Sequence, residues 1–224
     1  MDQSLSARRR PVPRRTAQRG LVLYITLMAL GLMTFASIAL LRSVDTGTLI
    51  AGNLGFQATA LASADAGTET SIAWLQATRD SDVATLYDDV SASGYYATST
   101  DNCDLTGNKI ALSTNDVNWT GTDPGADCNV NARILPSSTT GIAPGYTVAY
   151  VINRMCTAAG APGATFAADG TTPMVCARVK GASSDLGSRS GTLLLAPSQY
   201  YYRITTRVGG PRNTVRFVQA FVVF

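Results

Sequence analysis

Histidine is absent from the 224-residue chain, and lysine occurs only as Lys109 and Lys180. The first absence excludes Ser-His-Asp triads, Cys-His dyads, His-Glu-x-x-His zinc sites and every other histidine-ligated metal site. The second leaves few candidates for covalent catalysis by lysine. Charged residues make up 15% of the chain, well below the roughly 25% of an average soluble domain. The composition therefore weighs against an enzyme, although carboxylate chemistry stays open, and we predict no cofactor.

The net charge of +3 hides a separation of charge along the chain. Residues 1–19 hold six arginines against one aspartate, and residues 80–130 hold nine aspartates against one lysine. Residues 131–224 hold nine basic and two acidic residues. Because the basic surplus is divided between two regions and is offset by an acidic middle, we predict that the protein does not bind nucleic acid.

Residues 21–41 form a run of 21 residues without a charge, bounded by Arg19 and Arg42. A helix of that length spans about 31 Å, enough for the hydrocarbon core of a bilayer. The arginine-rich tail before the run predicts a cytoplasmic N-terminus, with everything after Arg42 outside. A cleaved secretory signal fits poorly, because the run is too long and the first Ala-x-Ala pattern begins only at Ala58. A permanent single-span anchor stays open.

The junction before this run ends in Gly20, and the apolar residues start at once with Leu21. A basic leader ending in glycine in this way resembles the type IV prepilin signal. The resemblance implies that a prepilin peptidase cuts after Gly20, removing residues 1–20, and that Leu21 becomes the methylated first residue. Most pilins carry glutamate at the fifth mature position, which is Ile25 here. Its absence is a habit of PilX-type minor pilins and of K-type pseudopilins of type II secretion.

Residues 42–79 contain no proline and are predicted to continue the helix as an amphipathic segment, with a break near Asp80 and Asp82. Several mostly apolar residues recur at spacings of three and four and are expected to form its packed face: Leu54, Ala58, Leu61, Asp65, Thr68, Ile72 and Leu75. Four glycines weaken this helix, each by roughly 1 kcal/mol. The runs at 42–43, 50–54 and 56–58 are similar to the "MRS…MAGN…AFQAAEAAL" pattern of PilX N-terminal domains.

Residues 80–224 are predicted to form a β-rich head. Four segments rich in β-branched and aromatic residues read as strands, at 146–152, 175–180, 199–208 and 214–224. The last two flank a turn at 209–213 and predict an antiparallel hairpin. The final segment is apolar on both faces, so we expect both of its faces to be covered. Residues 202–219 look like the "YRITVRVTGPRNTVSYVQ" ending of PilX-type proteins.

The resemblance covers both ends of the chain, about half of it. It implies an α+β, pilin-like fold in which a long N-terminal helix, half membrane-spanning and half amphipathic, packs on an antiparallel sheet. It also implies a minor pilin that helps to initiate type IV pilus assembly and sits near the tip. Implied partners are other minor pilins, the major pilin and a PilY-type adhesin. The protein would lie in the bacterial inner membrane with a periplasmic head, then on the pilus. A K-type pseudopilin and a membrane-anchored periplasmic enzyme are the alternatives.

Four cysteines follow the span on its outer side, where an oxidising compartment favours disulfides. Four cysteines allow three pairings. We expect neighbours in sequence to pair, Cys103 with Cys128 and Cys156 with Cys176. Without histidine or a Cys-x-x-Cys motif, no metal site is predicted.

Arginines at 203, 207, 212 and 216 cluster near the C-terminus with no acid among them. Arg203, Arg207 and Arg212 are the candidate docking patch for an acidic neighbour, and a solvated strand face is the equally weighted alternative. The nine aspartates of residues 80–130 raise a calcium hypothesis, although no EF-hand spacing is present.

Overall fold

A single long helix begins the described part of the chain. The computed structural model describes residues 19–106, 116–121, 128–167, 169–179 and 199–224. Helix α1 runs over Arg19–Ser81 without interruption at its glycines. It ends where the sequence predicted, because Asp82 takes an extended conformation and its carboxylate accepts a hydrogen bond from the backbone N–H of Ala84. That contact caps the 3-10 turn Val83–Tyr87.

The chain divides into two units, residues 1–52 and residues 53–224. In the first unit the described residues are the N-terminal part of α1. The second unit contains the rest of the helix and a six-stranded sheet. It forms the head, whose hydrophobic core lies between the C-terminal part of α1 and the sheet.

The sheet is mixed and mostly antiparallel. Its strands are β1 (Tyr95–Tyr96), β2 (Arg133–Ile134), β3 (Thr147–Arg154), β4 (Arg178–Val179), β5 (Gln199–Gly210) and β6 (Thr214–Val223). Strand β3 pairs with β5 on one side and with the short strands β1, in parallel, and β2 on the other. Strand β5 also pairs with β4 and β6. The predicted α+β class, with a long helix packed on a sheet, is confirmed.

The C-terminal hairpin is also confirmed, but its turn is shorter than predicted. The ladder between β5 and β6 continues to the pair Gly210–Thr214, which leaves three turn residues, Pro211–Asn213. Arg212 and Asn213 both have φ near +60° there. The segment predicted at 175–180 keeps only Arg178–Val179 as a strand, and Lys180 lies outside the described residues.

The packed face of α1 in the head is made of small residues, and this differs from the expected stripe. The buried positions recur at helical spacing along one side: Ala60, Ser63, Ala64, Gly67, Ser71 and Leu75. Of the predicted set only Leu75 is buried, while Leu54 and Leu61 are 58% and 54% exposed. Small residues allow the helix to lie close to the sheet. A Cβ atom added at Gly67 would lie 2.7 Å from methyl groups of both Val148 and Thr206.

The other face of the sheet carries a second, smaller core around Val117, Trp119, Val130, Ala149 and Val151. It covers β3 but reaches β6 only through Phe217, whose ring meets Trp119 edge-on at 5.5 Å between centroids. The expectation that both faces of the final strand are covered was wrong. Phe221 on this face is 60% exposed, because β6 lies at the edge of the sheet beyond the reach of the second core.

Candidate assembly site

The apolar run keeps its side chains free of contacts within the structure. From Leu21 to Leu41 the large apolar residues are each more than half exposed, and α1 is long and apolar enough to cross a membrane. The predicted cleavage junction, Gly20–Leu21, lies in the first turn of α1. The leader residues before Arg19 lie outside the described part of the chain.

Exposed apolar side chains continue past the predicted span. Leu49, Ile50, Leu54 and Leu61 follow Arg42 on the same helix and are all 54% exposed or more. Residues 42–61 add about 30 Å of helix at 1.5 Å per residue. Residues 21–41 alone are long enough to cross a bilayer core of about 30 Å. The apolar surface of α1 therefore extends further than one bilayer crossing accounts for.

One of the two predicted disulfides is present. Cys156 and Cys176 are bonded, with an S–S distance of 2.03 Å and 4.0 Å between their Cα atoms. Cys156 follows β3 and Cys176 precedes β4, and the two residues also form an antiparallel backbone bridge. The bond thus ties the loop between them to the sheet, as the sequence predicted.

The other predicted bond, between Cys103 and Cys128, is absent: both are free thiols. The two side chains are neighbours, but each sulfur is directed at a backbone carbonyl. The Cys103 thiol donates to the carbonyl of Cys128 at 3.7 Å, and the Cys128 thiol donates to the carbonyl of Asp116 at 3.3 Å. Burial and the adjoining thiol raise the pKa of Cys103 to about 12, so this thiol stays protonated and weakly nucleophilic at neutral pH.

The three arginines of the candidate docking patch do not form one continuous surface. Arg203 and Arg207 share the face of β5 that is turned away from the helix, since Arg203 pairs with Asn153 and Arg207 with Ala149. Arg203 is half-buried, its guanidinium donates to the Ser99 carbonyl, and burial lowers its pKa. The Arg203 side chain therefore contributes to the packing of the head and is only partly available to a partner.

Arg212 lies apart from those two, in the hairpin turn. Its guanidinium carbon is 5.4 Å from the ring centroid of Phe56 on α1, a cation–π contact between turn and helix. Arg207 is partly buried, like Arg203, and lines a cavity of about 150 Å³ beside Trp119 and Ile134. Of the predicted patch, only Arg212 is exposed, whereas Arg203 and Arg207 are partly buried on β5.

Arg154 is the largest fully buried side chain among the described residues, and the sequence analysis did not identify it. Its guanidinium donates to the carbonyls of Leu86, Ala97 and Gly160 at 2.9 to 3.1 Å. These acceptors belong to three separate segments of the chain, and the hydrogen bonds from the buried guanidinium hold the three segments together at the end of β3. The one available signal in the sequence was a charged residue at the end of an apolar strand pattern. The same pattern is equally typical of a strand that leaves the core at its charged end.

Among the described aspartates of residues 80–130, Asp104 and Asp116 lie opposite each other in an isolated backbone bridge. Asp89 accepts a bond from the backbone N–H of Ala97, and Asp104 accepts one from that of Thr106. Among the described residues, no group of three or more acidic or cysteine side chains is arranged to hold a metal ion. Asp123 and Asp127 lie outside those residues, so the calcium hypothesis stays untested.

Comparisons with protein-family models, with curated proteins and with solved structures found no match for this chain.

Proposed function

We propose that the protein is a PilX-type minor pilin, which helps to initiate type IV pilus assembly and sits near the pilus tip with other minor pilins. The observation that carries the proposal is the exposed apolar surface of α1 beyond the predicted span. A simple membrane anchor needs about 20 apolar residues. Here Leu49, Ile50, Leu54 and Leu61 add an apolar surface that only a further partner would bury. Packing among the helices of neighbouring subunits would bury it.

The two ends of the chain support the same assignment. The basic leader, Gly20 and Leu21 resemble a prepilin cleavage site, and cleavage there would free a helix that starts with its apolar run. Ile25 leaves the fifth mature position without a carboxylate. A subunit at the tip has nothing ahead of it to pair with such a charge, so its loss would be tolerated there. The major pilin, a PilY-type adhesin and the prepilin peptidase are the partners that this role requires.

The test separates helix packing from membrane anchoring. Leu54→Gln with Leu61→Gln removes exposed apolar area from α1 outside the predicted span and leaves the buried face intact. The control, Asn53→Gln with Glu69→Gln, introduces the same side chain at exposed polar positions of the same helix. Both variants replace the parent gene in the native bacterium. Membrane fractionation checks insertion, and surface pili are counted by electron microscopy.

We expect both variants to insert into the membrane, and the leucine variant alone to lose most surface pili. Copurification with the other minor pilins should fall with it. Normal pilus numbers in the leucine variant would contradict the proposal, since the exposed surface would then have no role in assembly. Loss of secreted enzymes with normal pili would instead support the pseudopilin alternative.

A further inference from the structure

In the part of the chain that the structure describes, β6 is a long and regular strand at the open edge of the head sheet. Its ten residues, Thr214–Val223, pair with β5 in an unbroken ladder from Gly210–Thr214 to Tyr201–Val223. Within the described residues no strand pairs with its other side. The opposite edge of the sheet differs, because β3 is covered there by the short strands β1 and β2.

The hydrogen-bonding pattern identifies which backbone groups of β6 point outward. Tyr200 and Phe224 exchange both backbone hydrogen bonds, at 2.8 and 3.2 Å. In an antiparallel ladder such pairs alternate with pairs that exchange none. The backbone groups of the even-numbered residues of β6 therefore bond to β5, and those of the odd-numbered residues point away from it: Val215, Phe217, Gln219, Phe221 and Val223. Among the described residues, none bonds to these outward groups.

This edge lacks the features with which proteins usually block open strands. Charged side chains, proline and bulges are the common devices. β6 contains no proline, its ladder has no bulge, and Arg216 is its single charged residue. Val215 and Phe221 are 41% and 60% exposed on it. An unpaired edge strand of ten residues would favour aggregation. Pairing with a strand of a partner protein would satisfy its backbone groups.

The positive charge of the residues near β6 indicates the charge of a segment that would bind there. Residues 199–224 contain four arginines and no acid. Arg216 lies on β6 itself, opposite Val208 and on the helix side of the sheet, and Arg212 lies in the turn that precedes β6. An added strand would lie about 5 Å from β6 and about 10 Å from β5, within about one screening length of these charges. A second copy would bring a strand of the same positive charge, which disfavours pairing of β6 with itself.

We propose that the edge of β6 binds an extended segment of another protein in which acidic side chains alternate with apolar ones. The segment adds a strand to the sheet, with its backbone bonded to the outward groups of β6. Its apolar side chains lie on the face of the sheet that carries Phe221, and its acidic side chains lie on the opposite face, which carries Arg216. The edge would bind such a strand whether or not the chain assembles into a pilus.

The experiment uses the full chain in detergent and a labelled peptide as long as β6, with glutamate and valine alternating. Binding is followed by fluorescence anisotropy at low and high salt. A second peptide replaces glutamate with lysine, and a third carries N-methyl groups on alternate residues of the glutamate peptide, which removes backbone donors. On the protein, Phe221→Pro removes an outward N–H without removing a bond to β5. Its matched control, Phe221→Ala, loses the same ring but keeps that N–H.

We expect the glutamate peptide to bind, and salt to weaken its binding. The lysine peptide, the N-methylated peptide and the Phe221→Pro protein should each lower the affinity about tenfold or more, and Phe221→Ala much less. Failure of the glutamate peptide to bind the parent protein would overturn the proposal. Equal affinity of the N-methylated and parent peptides would also overturn it, and that comparison needs no change in the protein. Dimerisation of the chain that Phe221→Pro abolishes would assign the edge to a second copy instead.

Discussion

Substituting Gly67 by alanine tests the close approach of helix and sheet that defines the head. The added Cβ would lie 2.7 Å from Val148 Cγ1 and 2.7 Å from Thr206 Cγ2. Both methyl groups belong to β-branched side chains, whose rotamers are restricted. Forcing one methyl group into a packed core costs about 1–3 kcal/mol, whereas alanine in place of glycine in a helix gains about 1 kcal/mol. Because two stiff side chains lie only 2.7 Å away, the cost should lie in the upper part of that range, at about 2–3 kcal/mol. After the helix gain is subtracted, we expect the free energy of unfolding to fall by about 1–2 kcal/mol.

The assay is urea unfolding of the full chain in detergent, followed by the fluorescence of Trp74 and Trp119. Gly55→Ala is the control, because nothing lies within 4 Å of a Cβ atom there, and it should leave stability equal or slightly higher. Adding Thr206→Ser to Gly67→Ala removes one of the two methyl groups in the way and should restore part of the loss. Gly67→Ala as stable as the parent protein would refute the close packing described here.

Three further predictions concern single features of the head. Arg154→Met should lower the free energy of unfolding by about 3 kcal/mol, since it leaves buried carbonyls without donors; a stability within error of the parent would show that water or other groups replace the guanidinium. Alkylation of the denatured, unreduced protein should label two thiols, Cys103 and Cys128. If no thiol is labelled, the Cys103–Cys128 disulfide expected from the sequence is present after all. Arg203→Glu should destabilise the head, since Arg203 is partly buried and its guanidinium donates to the Ser99 carbonyl. Arg207→Glu should leave the free energy of unfolding within about 0.5 kcal/mol of the parent protein. Equal effects of the two substitutions in the unfolding assay would contradict this distinction.

The features that could be predicted from the sequence are those encoded within a few neighbouring residues. The apolar run and the absence of proline predict α1, and the residues Asp80 to Asp82 mark its end. Alternation of side chains along residues 199–208 predicts which of them share a face of the strand. The register agrees, because Tyr202, Ile204 and Val208 are buried on the helix side. The Cys156–Cys176 bond could be predicted because the two cysteines are neighbours among the four cysteines of the sequence.

The features that could not be predicted depend on contacts between distant residues. The packed face of α1 is set by how closely the helix approaches the sheet, so small residues such as Ala64 and Gly67 are buried while Leu61 stays exposed. The burial of Arg154 depends on carbonyls in three loops, and no local pattern records their convergence. Pairing of neighbours in sequence was the wrong expectation for Cys103 and Cys128, whose thiols donate to backbone carbonyls instead of bonding to each other. The open edge of β6 follows from strand order, which alternation along one strand does not reveal.

The N-terminal residue of the protein purified from its native membrane tests the central proposal most directly. Mass spectrometry of the intact chain and of its N-terminal peptide would measure it. A prepilin-type subunit should start at Leu21, carry a methyl group on its amine and lack residues 1–20, and Gly20→Val should block this processing. A chain that starts at Met1 would be a simple anchored protein, and one that starts near Ala60 a secreted protein. Either result would contradict the assignment as a minor pilin.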